Sequence, residues 1–171
     1  MAQELQHAFG DAVLTTKDLY GRRVFQHGKN KLHKVGKIRN LVFHPSEKRL
    51  VGVLIKRPDA AMMFHRKDVF LRWDGFEIID GDMVIFDKQD ATDKAACKYL
   101  GVNFNDCILW WNMPLATADG TKVGEASQIS FDSATGKVVS VTADNGAASG
   151  ALLGKKEIPA ELIRGFKKGL C

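Results

Sequence analysis

No apolar run in this chain approaches the roughly 18 residues needed to cross a membrane as a helix. The opening stretch, Met1 to Asp11, is mixed polar and lacks the apolar core of a secretion signal, so the expectation is a cytoplasmic protein with no membrane span. Cysteine is scarce: Cys97, Cys107 and Cys171 are the three, and no two form a CxxC pair. An odd number without that spacing argues against a disulfide framework and against a four-cysteine zinc site, leaving reduced thiols. The five histidines, His7, His27, His33, His44 and His65, show no HExxH spacing and read as surface turn residues. The aspartates from Asp80 onward fail as a calcium loop, because Ile85 stands where glycine is required and Ala91 where glutamate is required. Gly150 to Lys156 fails as a phosphate loop, with Ser149 in place of the first glycine and Lys156 in place of the hydroxyl residue. Cys107 has no histidine near it in sequence and reads as a buried thiol. With no nucleophile, acid–base pair or ligand set assembled, the expectation is a protein that is not an enzyme and has no metal or cofactor.

Acids are nearly missing from residues 17–57, which hold twelve Lys or Arg against Asp18 and Glu47, a local charge of +10 in a chain whose total is +5. Residues 58–90 are the counterweight, with eight acids against four bases. Such asymmetry points to an anionic partner. The candidate phosphate or RNA contacts are Arg22, Arg23, Lys29, Lys31, Lys34, Lys37 and Arg39. Aromatics are sparse in that window, limited to Tyr20, Phe25 and Phe43, which speaks against a platform for stacking single-stranded bases. On strands, alternate residues face water, so the plainer reading of these cations is a solvated face.

What the chain does have is an internal repeat. Shifted by 88 positions, Lys34-Val35-Gly36 falls on Lys122-Val123-Gly124, Leu41 on Ile129, and Phe43 on Phe131. Leu50, Val51 and Val53 fall on Val138, Val139 and Val141, all without a gap. Each unit reads as a strand, a turn (His44 to Lys48; Asp132 to Lys137) and a return strand. Each also opens on an earlier strand, Arg22 to Gln26 or Leu115 to Ala118, with about three extra residues in the following turn of the first copy. The first copy goes on with short strands at Ala61 to His65, Phe76 to Asp80 and Met83 to Phe86. Two helices are expected. One covers residues 90–100 between the copies, with Thr92 as N-cap and Gly101 as stop. The other starts at Pro159, carries Leu162, Ile163 and Phe166 on its apolar face, and ends near Gly169. Trp110-Trp111-Asn112-Met113-Pro114 is the most distinctive string. The tryptophans are candidate interface residues, against the plainer expectation that both fill the seam between the copies.

A Val-Gly pair, an apolar-x-Phe, a turn, an apolar run and a later Ile158-Pro159 resemble the PRC-barrel family. That family includes the cytoplasmic domain of the photosynthetic reaction-centre H subunit and the C-terminal domain of the ribosome maturation factor RimM. The matching stretches are Lys34 to Ile55 with Met83 to Phe86, and Gly120 to Thr142 with Glu157 to Leu162. The resemblance implies a mainly β protein of two tandem small PRC-like β-barrels, at 13–88 and 108–168, with a helical linker at 89–107 and a C-terminal helix. The first copy lacks the Ile-Pro pair and has Asp68-Val69 in that region. Barrels of this kind act as docking modules. The expected function is therefore a non-catalytic scaffold for a protein or ribonucleoprotein partner, with an RNA- or ribosome-associated maturation factor as the alternative.

Overall fold

The computed structural model describes residues 13–59, 67–74, 77–79, 82–85, 101–111, 113–144 and 155–165. The described part is mainly β, as expected. Its strands in chain order are β1 (Val13–Thr15), β2 (Arg23–His27), β3 (Leu32–Phe43), β4 (Leu50–Lys56), β5 (Val69–Arg72), β6 (Glu77–Ile79) and β7 (Asp82–Ile85), followed by β8 (Ile108–Leu109), β9 (Pro114–Ala116), β10 (Lys122–Asp132), β11 (Val138–Asp144) and β12 (Lys156–Pro159). One four-residue helix, α1 (Thr16–Leu19), follows β1 directly. Its first turn is closed by a capping box in which Thr15 and Asp18 satisfy each other's backbone amides.

These strands make a seven-stranded sheet, β5-β4-β3-β2-β7-β6 with β8 on β3, and a five-stranded sheet, β1-β10-β11-β12 with β9 on β10. Neither path returns to its own first strand, so the described strands form two open sheets and not the two closed barrels that the family pattern implies. The expected C-terminal helix is also corrected. Pro159 is the last residue of β12, and one 3-10 turn, Ala160–Leu162, follows it. The β12 register places Ile158 opposite Val141, so the apolar residue serves a sheet and not a helix face. The linker helix at 90–100 and the strand at Ala61 to His65 lie outside the described residues.

The repeat is real in hydrogen-bond register. In the first copy Leu41 pairs with Val53 and Phe43 with Leu50; 88 residues on, Ile129 pairs with Val141 and Phe131 with Val138. Even the irregularities recur, between Ile38 and Asn40 and between Ala126 and Gln128. Bulges re-aim strands and reset which face each residue takes, so their repetition means that both hairpins bend in the same places. The earlier strands correspond too: Val24 lies opposite Gly36 and Leu115 opposite Gly124. The Gly of the first KVG string is forced by closeness, since a Cβ on Gly36 would lie 2.0 Å from the Lys56 carbonyl oxygen.

The leading strands are exchanged. β1, from the start of the first copy, pairs with β10 of the second, Leu14 opposite Phe131. β8, from the start of the second copy, pairs with β3 of the first, Ile108 opposite Phe43. Each copy thus completes the other's sheet. A shared apolar core follows from this, drawing Leu19, Leu41, Phe43, Val53 and Met83 from one copy and Trp110, Ile129, Phe131 and Val141 from the other; a smaller second cluster gathers Val42, Val51, Phe70 and Cys107.

The two hairpin turns also meet, about a pseudo-twofold. Arg49 bridges to Lys137, its own repeat mate. The Leu50 amide donates to the Gly136 carbonyl at 2.7 Å, and the Val138 amide donates to the Lys48 carbonyl at 2.8 Å. Each pair of atoms is the other shifted by one repeat, the reciprocity of a twofold contact. Gly136 holds a φ of +75°, and a Cβ there would press 2.8 Å from the Leu50 carbonyl.

The turns open on different residues with the same task. His44, expected on the surface, is buried, and its Nδ1 accepts the amides of Ser46 (3.2 Å) and Glu47 (3.0 Å). Its mate Asp132 accepts the Thr135 amide and hydroxyl, both at 2.8 Å. Burial holds His44 below the usual histidine range; Glu47 works against this and Arg49 with it. The Thr135 bonds hold Asp132 below the usual aspartate range. A histidine with a lowered folded pKa stabilises the fold fully above its unfolded value of about 6.5, and that contribution is lost as pH falls through the folded value. Asp132 keeps its contribution until pH falls below about 4. Urea unfolding at neutral pH and near pH 5 is expected to show a loss of stability on acidification that shrinks in His44→Asn, which keeps an acceptor but cannot take up a proton.

Candidate docking surfaces

Two surfaces gather the residues singled out from the sequence. The first is aromatic. After α1, the chain turns at Gly21 with a φ of +79°, and the Gly21 amide donates to the Ile38 carbonyl. This fixes Tyr20 at the molecular surface. From the other copy, β8 leads into Trp110 and Trp111. The Trp110 amide donates to the Leu41 carbonyl (3.0 Å), and the Trp111 amide donates to Asn40 Oδ1 (3.1 Å). Asn40 is buried and its Oδ1 also accepts the Leu41 amide (2.9 Å), so one side chain serves both copies. Sequence reasoning passed over Asn40 because an asparagine within an apolar strand carries no motif.

The two tryptophans part company. Trp110 is 4% exposed and belongs to the shared core, whereas Trp111 is 53% exposed. Trp111 stacks on Tyr20, centroids 5.4 Å apart and planes 19° from parallel, and Trp110 meets Tyr20 edge-on at 6.1 Å. Leu109 is exposed beside them in sequence. Stacking adds about 0.5–1.5 kcal/mol beyond area burial, which favours this arrangement of the outer pair while leaving apolar surface in water.

The second surface is basic, and it divides. Arg23 is committed to Asp82, with two bonds of 3.1 Å, and its guanidinium lies 5.7 Å over the Phe25 ring. Arg39 reaches Asp68 at 3.2 Å. Arg22 is half-buried and donates to the Asp18 carbonyl at 3.4 Å. Lys29 and Lys31 lie in the β2–β3 connection and Lys34 and Lys37 on β3, all exposed. Among the described residues no carboxylate pairs with these four lysines. Lys37 stands directly opposite Lys56 on β4, and Arg23 directly opposite Lys37 on β2. Two acids of the 58–90 block, Asp82 and Asp68, thus neutralise Arg23 and Arg39.

Of the remaining candidates, Cys107 is buried and its thiol donates to the Asn103 carbonyl, while Cys97 and Cys171 lie outside the described residues. His27 and His33 are exposed. Among the described residues no three His, Cys, Asp or Glu side chains gather as a metal site, and no helix is long and apolar enough to cross a membrane. No family model matches the chain, and no curated protein matches it by sequence.

Proposed function

We propose that this protein is a non-catalytic, cytoplasmic scaffold of two PRC-like repeats that docks a protein partner through the Tyr20–Trp111 face. The observation that carries the reading is the exposed, stacked pair itself, one ring from each repeat. Trp and Tyr are the side chains that most often anchor interfaces, because they offer large area with few rotors. The exchange of leading strands supports the reading physically: it brings one ring from each repeat together at the surface, so the stacked face is assembled before a partner arrives. Trp111→Ala is expected to weaken partner binding by about 2 kcal/mol or more, roughly thirtyfold. The same change should cost little folding stability, whereas Trp110→Ala removes a core side chain at about 3–5 kcal/mol. Pull-down with wild type, Trp111→Ala and Tyr20→Ala checks this. A partner retained equally by all three overturns it.

One observation favours a second reading, an RNA- or ribosome-associated factor: the exposed lysines 29, 31, 34 and 37 without carboxylate partners among the described residues. Phosphate contacts would make binding fall steeply with salt. Recovery of ribosomal proteins that is lost on nuclease treatment and on Lys34→Glu with Lys37→Glu, yet unchanged in Trp111→Ala, would favour it over the protein-docking reading.

A further inference from the structure

The repeats carry opposite charge at equivalent places. In the first, Lys37 and Lys56 face each other across β3 and β4. In the second, their mates Glu125 and Asp144 face each other across β10 and β11. All four are exposed. The next position outward also inverts. Asp68 precedes β5, whose Val69 lies opposite Ile55; Lys155 precedes β12, whose Lys156 lies opposite Ala143. One row thus reads plus, plus, minus, and the other minus, minus, plus.

Like charges directly opposite on a sheet repel and cost stability. Each repeat carries such a pair, and the repulsion in both is relieved by the same event, contact with a row of the other sign. We infer that the Lys37–Lys56 row of one molecule docks on the Glu125–Asp144 row of a second copy of this chain. Every molecule has both halves of the contact, so two copies satisfy both at once as a reciprocal dimer, or the contact repeats head to tail along a chain or ring. Local bonds do not prevent it. Lys122 reaches Glu125 at 3.3 Å with both side chains more than half exposed, so water and salt screen the pair; Asp144 also has an interaction of its own. Complementary charge governs specificity and encounter rate more than affinity, so the association is weak and sensitive to salt. The inference is independent of the partner-docking reading, which uses Tyr20 and Trp111.

The test is sedimentation equilibrium of the full chain, nuclease-treated, at about 0.01 M salt, where charges are felt over about 30 Å, and at about 1 M, where the range is about 3 Å. The expected result is an average mass that rises with concentration at low salt and stays monomeric at high salt. Lys37→Glu with Lys56→Glu should be monomeric, as should Glu125→Lys with Asp144→Lys. All four changes together, which leave the net charge unaltered, should restore association. Lys37→Gln with Lys56→Gln gives a milder loss should a reversal disturb folding. Trp111→Ala should associate like wild type. A wild-type monomer in both salts, association that survives both double reversals, failure of the fourfold variant to restore it, or association that needs added RNA would each overturn the inference.

Discussion

Divided after Leu100, the chain is expected to yield two fragments that do not fold alone and that regain structure when mixed. The piece ending at Leu100 keeps β3 but loses β8, leaving the Val42–Phe43 stretch without the Leu109–Ile108 ladder and the core without Trp110. The piece starting at Gly101 keeps β10 but loses β1 and α1. Its Ile129 amide then loses the Thr16 hydroxyl that accepts it at 3.1 Å, and Leu19, fully buried, leaves the core. A buried amide left without an acceptor costs about 1–3 kcal/mol, and loss of a buried leucine about 2–5 kcal/mol more. Neither fragment has margin for this, because chains of this size bury only about 60% of their unfolded surface. Circular dichroism of each fragment and of the equimolar mixture makes the check. Cooperative unfolding by either fragment alone would contradict the exchange.

Truncation of Phe43 or of Phe131 to alanine is expected to cost about 3–5 kcal/mol each, against a typical total of about 5–15 kcal/mol. Both rings are fully buried. Each lies on the long central strand of its copy, opposite a residue of the exchanged leading strand, Ile108 or Leu14. Phe131 also receives Trp73 of the first copy edge-on at 5.4 Å, and the Trp73 indole donates to the Ser133 carbonyl at 2.9 Å. Because the core is shared, each substitution should lower the midpoint of one common transition. Denaturant unfolding followed by tryptophan fluorescence and by circular dichroism reads this out. Loss of one phase with another unmoved would show that the copies unfold separately, and a cost below about 1 kcal/mol would contradict the buried packing of the ring.

The repeat was legible because apolar periodicity and turn residues are local signals. The 88-residue shift found Phe43 and Phe131, Leu50 and Val138 as mates, and their registers agree. The exchange was not legible. Val13–Thr15 and Ile108–Leu109 are too short to carry a period of their own, and which sheet they join depends on contacts far along the chain. β5 escaped for a related reason: Val69-Phe70-Leu71 offers no alternation, and only its pairing with Ile55 to Val53 marks it as the mate of β12. Pro159 drew a helix from the sequence because proline suits a first helical turn, yet it suits the end of an edge strand equally. Of the candidate surfaces, the cations and both tryptophans were visible as residues. Which of them stay free for a partner was not, because that rests on pairings such as Arg23 with Asp82, 59 positions apart, and on Asn40 turning Trp111 outward while Trp110 turns in.

The interlocked arrangement is tested most directly by inter-strand nuclear Overhauser effects from the two leading strands of the intact chain. The account predicts contacts from Leu14 to Phe131 and from Ile108 to Phe43. Contacts from Leu14 to Phe43 and from Ile108 to Phe131, as two independent tandem units would give, would contradict it.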